Sequence, residues 1–168
     1  MGEGYKARDS RLNRDVAIKI LPEAFAADPE YRERFEREAR AVSSLNHPNI
    51  CTVYDVGSQD GVDYLVMELL DGETLAARLT RGPLPLDQAF RYGIEIADGL
   101  SRAHRQGIVH RDLKPANIVL TKTGAKLLDF GLAKMGPAPS SSGMSIMPTI
   151  EESLTADGTI LGTFQYMA

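Results

Sequence analysis

The chain has a single cysteine, Cys51, in 168 residues. No internal disulfide can form, and a reducing cytoplasm is the natural setting. No apolar run approaches the roughly 20 residues that cross a bilayer, because Leu65-Val66-Met67 is cut by Glu68. The expectation is a cytoplasmic chain with no membrane contact of its own, whatever anchor a parent protein carries elsewhere. No basic-then-apolar signal opens the sequence. Positive charge is in deficit, with 19 Lys and Arg against 23 Asp and Glu and a formal net charge of −4. That balance gives no reason to expect a nucleic-acid partner. Internal repeats are absent, and so is the G-x-x-x-x-G-K-[ST] run of a P-loop NTPase. What remains is ordinary for a soluble globular domain, 43% hydrophobic and 25% charged, with length for one sizeable core. One segment is biased: residues 136–153 are rich in Pro, Ser, Gly and Met and read as a flexible loop.

The densest chemistry lies at His110-Arg111-Asp112-Leu113-Lys114-Pro115-Ala116-Asn117, followed by Asp129-Phe130-Gly131. Asp112, Lys114, Asn117 and Asp129 are set into apolar flanks: Ile108-Val109, Ile118-Val119-Leu120 and Leu127-Leu128. Short apolar strands gather such groups at one rim only if a cation or metal compensates them. An Asp and an Asn from neighbouring strand ends supply hard oxygens that suit Mg²⁺ shared with a nucleotide's phosphates. An Asp beside a Lys suits a group that positions a hydroxyl while the ammonium neutralises a transferred phosphoryl.

Upstream, residues 5–7 and 16–21 predict a hairpin across a polar turn. Lys19 interrupts the apolar run of the second strand, so it either reaches an edge or finds an anion. Asp28 then caps a helix that has Pro29 in its first turn. Phe35, Val42 and Leu45 define its buried stripe, and Glu38 falls on that stripe. A carboxylate there either pairs with Lys19 or sits at the margin among Glu33, Glu36 and Arg37 in solvated pairs. Residues 50–56 and 62–69 predict an antiparallel pair across Gln59-Asp60-Gly61. A short helix follows over 72–80, closed by Gly82 and Pro83. A longer one, capped by Asp87, runs to about Gln106 with Phe90, Ile94, Ala97 and Leu100 inward and Gly107 as its stop. His104, near the end of that helix, reads as a structural histidine.

Residues 110–117 and 129–131 resemble the catalytic loop and Asp-Phe-Gly signature of protein kinases, and Val16-Ala17-Ile18-Lys19 resembles the strand that carries their phosphate-binding lysine. The chain is identified as a member of the bacterial, eukaryotic-like serine/threonine protein kinases, the Lys two places after Asp112 being of that subclass. The implied fold is α+β and bilobal but incomplete. Residues 1–71 would form a partial first lobe, an antiparallel sheet plus one helix, and residues 72–168 a partial helical second lobe.

The resemblance implies ATP and Mg²⁺ as cofactors and Ser/Thr-bearing proteins as substrates, and it leaves self-association or autophosphorylation open. Asp112 would orient the substrate hydroxyl and accept its proton, and Lys114 would contact the γ-phosphate. Lys19 would hold the α- and β-phosphates, oriented by Glu38, while Asn117 and Asp129 hold Mg²⁺. Backbone groups at Glu68 and Leu70 would bind adenine between Ala17 and Val119, with Met67 guarding the space behind. His110, Val42, Val53 and Phe130 would form an apolar stack between the lobes. Thr163, in Gly162-Thr163-Phe164-Gln165-Tyr166-Met167-Ala168, would bond to Asp112 and Lys114. Thr149, Ser153, Thr155 and Thr159 are candidate phosphosites whose phosphate Arg111 would grip.

The sequence departs from the kinase pattern at its ends. Of the Gly-rich phosphate loop only Gly2 fits, Gly4 stands where a valine belongs, and the chain stops short of a closing Pro-Glu. A catalytically incompetent remnant, at most an ATP-binding or protein-interaction module, is the alternative expectation.

Overall fold

The computed structural model describes residues 4–20 and 29–130. Gly2, Gly131, Thr163 and the four candidate phosphosites lie outside the described residues, as does the Asp28 cap.

The first half is a four-stranded sheet with one helix. Strands β1 (Gly4–Asp9) and β2 (Arg14–Ile20) form the expected hairpin, in the register Ala7 opposite Val16. Its turn is organised by Asp9, whose Oδ1 accepts from the amides of Arg11 and Leu12, both at 3.1 Å. These bonds hold the Asp9 carboxyl below the usual range. After helix α1 (Pro29–Ser43) come β3 (Val53–Gln59) and β4 (Val62–Glu68), and the sheet order is β1-β2-β4-β3. Asp60 and Gly61 join β3 to β4 with φ of 53° and 80°. Both are left-handed, as a two-residue turn matching the twist of the strands requires.

α1 buries the predicted stripe. Phe35 and Val42 are buried with Ala39, and Leu45 is buried just beyond the helix end. The strand expected from residue 50 begins only at Val53. Residues 49–51 instead lie along β7 (Gly124–Leu127): Leu127 N donates to Asn49 O at 2.8 Å and Cys51 N to Leu127 O at 2.9 Å. The Asn49 side chain adds a bond from Nδ2 to Ala125 O at 2.8 Å. A local alternation of apolar residues cannot tell a strand in one sheet from a segment laid on another.

The second half opens with β5 (Gly72–Thr74), which pairs with β6 (Ile118–Thr121), itself paired with β7. The helix expected over 72–80 is therefore shorter, α2 (Leu75–Leu79), and Thr74 caps it by accepting from Ala77 N at 3.1 Å.

Helix α3 (Leu86–Arg105) starts one residue before Asp87, which sits in its first turn where an acid suits the helix dipole. Its inward face also differs from expectation. Gly99 and Ala103 are buried, with Tyr92, Ile96 and Leu100 packed on the core, whereas Phe90 and Ile94 are 64% and 69% exposed and Ala97 is exposed too. The helix has two apolar sides, and β7 takes the one with the small residues, because Gly99 allows close approach. Gly107, at φ 73°, ends it as expected.

Candidate active site

The second sheet and the 3-10 turn at Pro115–Asn117 bring the motif residues together. Lys114 Nζ lies 2.8 Å from Asp112 Oδ2, and Asn117 Nδ2 donates to Asp112 O at 2.9 Å and to its Oδ2 at 3.1 Å. Asn117 is buried, and its backbone carbonyl accepts from Leu128 N at 2.8 Å, which ties the turn to the strand leading to Asp129. Because its Nδ2 is committed to Asp112, the amide oxygen Oδ1 remains as a hard acceptor.

Asp129 comes from the other side of the turn with φ 52°, and Arg111 has φ 59°. Left-handed backbone at two non-glycine residues flanking one cluster is strain of the kind found at functional sites. Lys19 of β2 reaches across the cleft to Asp129, Nζ to Oδ2 at 2.6 Å.

The expected ion pair between Lys19 and Glu38 is not made. Glu38 Oε1 instead accepts from Arg111 Nη1 at 3.1 Å, with the Glu38 side chain 29% exposed. Two carboxylates and two cations can pair in either combination. Here Asp129, projected into the cleft by its left-handed backbone, lies closest to the ammonium, and Arg111 is left to compensate Glu38.

Alternation along β2 puts Ala17 on the same side as Lys19, and Val119 of β6 is buried opposite Lys126 of β7. A concavity of about 830 Å³ lies on the reverse face of the first sheet, against Val16, Ile18, Tyr64 and Val66. None of Lys19, Asp112, Lys114, Asn117 and Asp129 lines it, so the chemistry marks the cleft and not this hollow.

Val42, Val53, Met67 and Phe130 line a small cavity of about 20 Å³ behind the cleft. His110 is buried against Phe130, ring centroids 4.6 Å apart. The four members of the expected stack are thus all buried. Neither His110 ring nitrogen makes a hydrogen bond among the described residues. Burial lowers its pKa, and nearby backbone groups of Leu128 and His110 oppose that shift without overcoming it.

The end of β4 carries a group that motif reading passed over. Lys126 Nζ lies 2.9 Å from Glu68 Oε2, which also accepts from Thr52 N at 3.3 Å. The Glu68 amide donates to Thr52 O at 2.9 Å, and its carbonyl faces the Cys51 thiol at 3.7 Å. Burial, reinforced by the Glu68 carboxylate, pushes that thiol up to about 12, so Cys51 is an inert core residue. The signal for Lys126 was present in the sequence: it interrupts an apolar run just as Lys19 does. Leu70, half-buried, follows in the link to β5.

The donor set fits a divalent cation. Asn117 Oδ1 and the Asp129 carboxylate are hard oxygens, and among the described residues there is no cluster of three His, Cys, Asp or Glu that would hold a metal alone. Two protein oxygens supplemented by phosphates is the mode Mg²⁺ favours.

A family model described as protein kinase domain matches residues 1–168. The chain is 46% identical to a probable serine/threonine-protein kinase of Clostridium perfringens, over 80% of this chain and 21% of that protein. It is 42% identical to serine/threonine-protein kinase PknA of Mycobacterium tuberculosis, over 100% of this chain and 38% of the relative. Among solved structures it is similar to the M. tuberculosis PknI kinase domain, with a TM-score of 0.73 and 38% identity over 79% of this chain and 54% of that one. It therefore spans well under two-thirds of the length of these relatives. With the sheet, the cleft and the motif residues in place, the chain belongs to the protein kinase family, as an incomplete bilobal domain of the serine/threonine type.

Proposed function

We propose that this chain binds Mg-ATP in the cleft between its two sheets and transfers the γ-phosphoryl group to serine or threonine hydroxyls of protein substrates. The lobes divide near residue 71, between the end of β4 and the start of β5. One observation carries the reading: Asp112, Lys114 and Asn117 form a bonded triad at 2.8 to 3.1 Å, beside an Asp129 already compensated by Lys19.

In this reading Asp112 accepts the proton of the substrate hydroxyl as its oxygen bonds to the γ-phosphorus. The bond from that phosphorus to the bridging oxygen breaks, and ADP leaves with the electron pair. Lys114 holds the Asp112 carboxylate in place and faces the charge that develops on the transferred group. Asn117 and Asp129 would hold Mg²⁺, which neutralises phosphate charge when bound. Lys19, now paired with Asp129, would serve the α- and β-phosphates, and Ala17 and Val119 would enclose adenine. Thr163 and Gly2 complete the proposed set from outside the described residues, and autophosphorylation at the Ser and Thr residues beyond Phe130 belongs to the same proposal.

The test is transfer of labelled γ-phosphate to a serine-rich protein by this chain and by its Asp112→Asn variant. The variant should lose about 10²- to 10⁴-fold in kcat, the usual worth of a general base, while still binding Mg-ATP by calorimetry. Binding without transfer by the unaltered chain would favour the non-catalytic module. Absence of both would end the proposal.

A further inference from the structure

Glu68 is the last residue of β4, and the chain crosses from there to β5 through residues 69–71. Its carboxylate is gripped by Lys126, a residue of the other sheet, at 2.9 Å. This is not an ordinary surface pair. The Lys126 and Glu68 side chains are 14% and 27% exposed, against 89% and 90% for Lys122 and Asp71 nearby. The same carboxylate oxygen accepts from Thr52 N, and the Glu68 amide donates to Thr52 O. Lys126 itself is fixed by the β6–β7 ladder, directly opposite Val119 and three residues before Asp129.

We infer that Lys126 is a positioning residue that, through Glu68, sets the position of residues 69–71 relative to Val119 and so the width of the adenine end of the cleft. The inference rests on the ATP site proposed above and adds to it a residue that touches neither base nor phosphate. A partly buried carboxylate whose cation is removed becomes an uncompensated charge, and it relaxes by moving toward water. The connection to β5 is the backbone that would follow it, since Thr52 is tied to β4 and residues 49–51 to β7. Adenine contacts along 68–70 would be lost. The triphosphate end, held by Lys19, Asn117 and Asp129, would not be disturbed.

The experiment measures binding of ATP, ADP and inorganic tripolyphosphate, each with Mg²⁺, to the unaltered chain and to Lys126→Gln and Lys126→Arg by calorimetry. Lys126→Gln should weaken ATP and ADP about tenfold, the scale of one lost charge-assisted contact. Tripolyphosphate should stay within about twofold, and Lys126→Arg should retain nucleotide affinity. A purely structural role would weaken all three ligands together. That outcome overturns the inference, as does unchanged ATP affinity in Lys126→Gln. Should Lys126→Gln fail to fold, Glu68→Gln makes the same comparison from the other partner. If the unaltered chain binds no ATP, the proposed function falls and takes this inference with it. ATP binding that ignores Lys126 sinks the inference alone.

Discussion

A histidine that is 2% exposed and makes no hydrogen bond among the described residues is favoured in the core in its neutral form. Burial holds the His110 pKa below its ordinary 6.5. The unfolded chain therefore binds the proton more readily than the folded one. The contribution to stability is present in full above about pH 6.5 and is lost as the pH falls toward the lowered folded value. Thermal unfolding followed between pH 8 and pH 5 should show a falling midpoint. In His110→Phe, which keeps the ring against Phe130, that part of the slope should disappear. An identical slope in both proteins would show that His110 is not the group responsible. At this scale much was legible in the sequence. Asp112, Lys114 and Asn117 lie close in sequence, and a single tight turn brings them together. The partner of Lys19 was not legible, because it depends on which of two carboxylates, 91 residues apart in sequence, stands nearer in space.

Elements were readable where local geometry decides them and misread where a distant surface does. Asp60-Gly61 dictates its own turn, and the β1–β2 hairpin follows from polar residues between two apolar runs. Residues 50–52 and the inward side of α3 depend instead on β7, which comes later in the chain at Gly124–Leu127 and whose docking no periodicity reveals. β5 was hidden because three residues, Gly72 to Thr74, are too few to show an alternation. Gly72 nevertheless makes a clear prediction. A Cβ there would run into the Leu120 carbonyl group on the neighbouring strand, backbone that cannot swing aside. Gly72→Ala should cost about 1–3 kcal/mol by overpacking. Gly93, in an exposed turn of α3 with nothing near a built Cβ, is the control. Gly93→Ala should stabilise by about 0.5–1 kcal/mol through helix propensity. Urea midpoints of both variants check the pair, and equal shifts would contradict the assigned β5–β6 packing.

On the scale of the whole molecule, Leu86, Phe90 and Ile94 form a row along α3, 64 to 70% exposed. Apolar rows of this kind promote association. Phe90→Glu with Ile94→Lys should leave the unfolding free energy within about 0.5 kcal/mol, as substitutions away from packed features do. It should also reduce self-association seen by light scattering. No helix among the described residues is long and apolar enough to cross a membrane.

The stitching of residues 49–51 to β7 has a mechanical consequence. Although they precede β3 in sequence, the Asn49 carbonyl and the Cys51 amide bond to Leu127 of the second sheet. Rocking of the first sheet is therefore expected beyond them, near the Thr52–Glu68 bond, while Asn49, Cys51 and Leu127 ride together. In deuterium exchange the Cys51 and Leu127 amides should open at one common rate, and that rate should not respond when nucleotide closes the cleft.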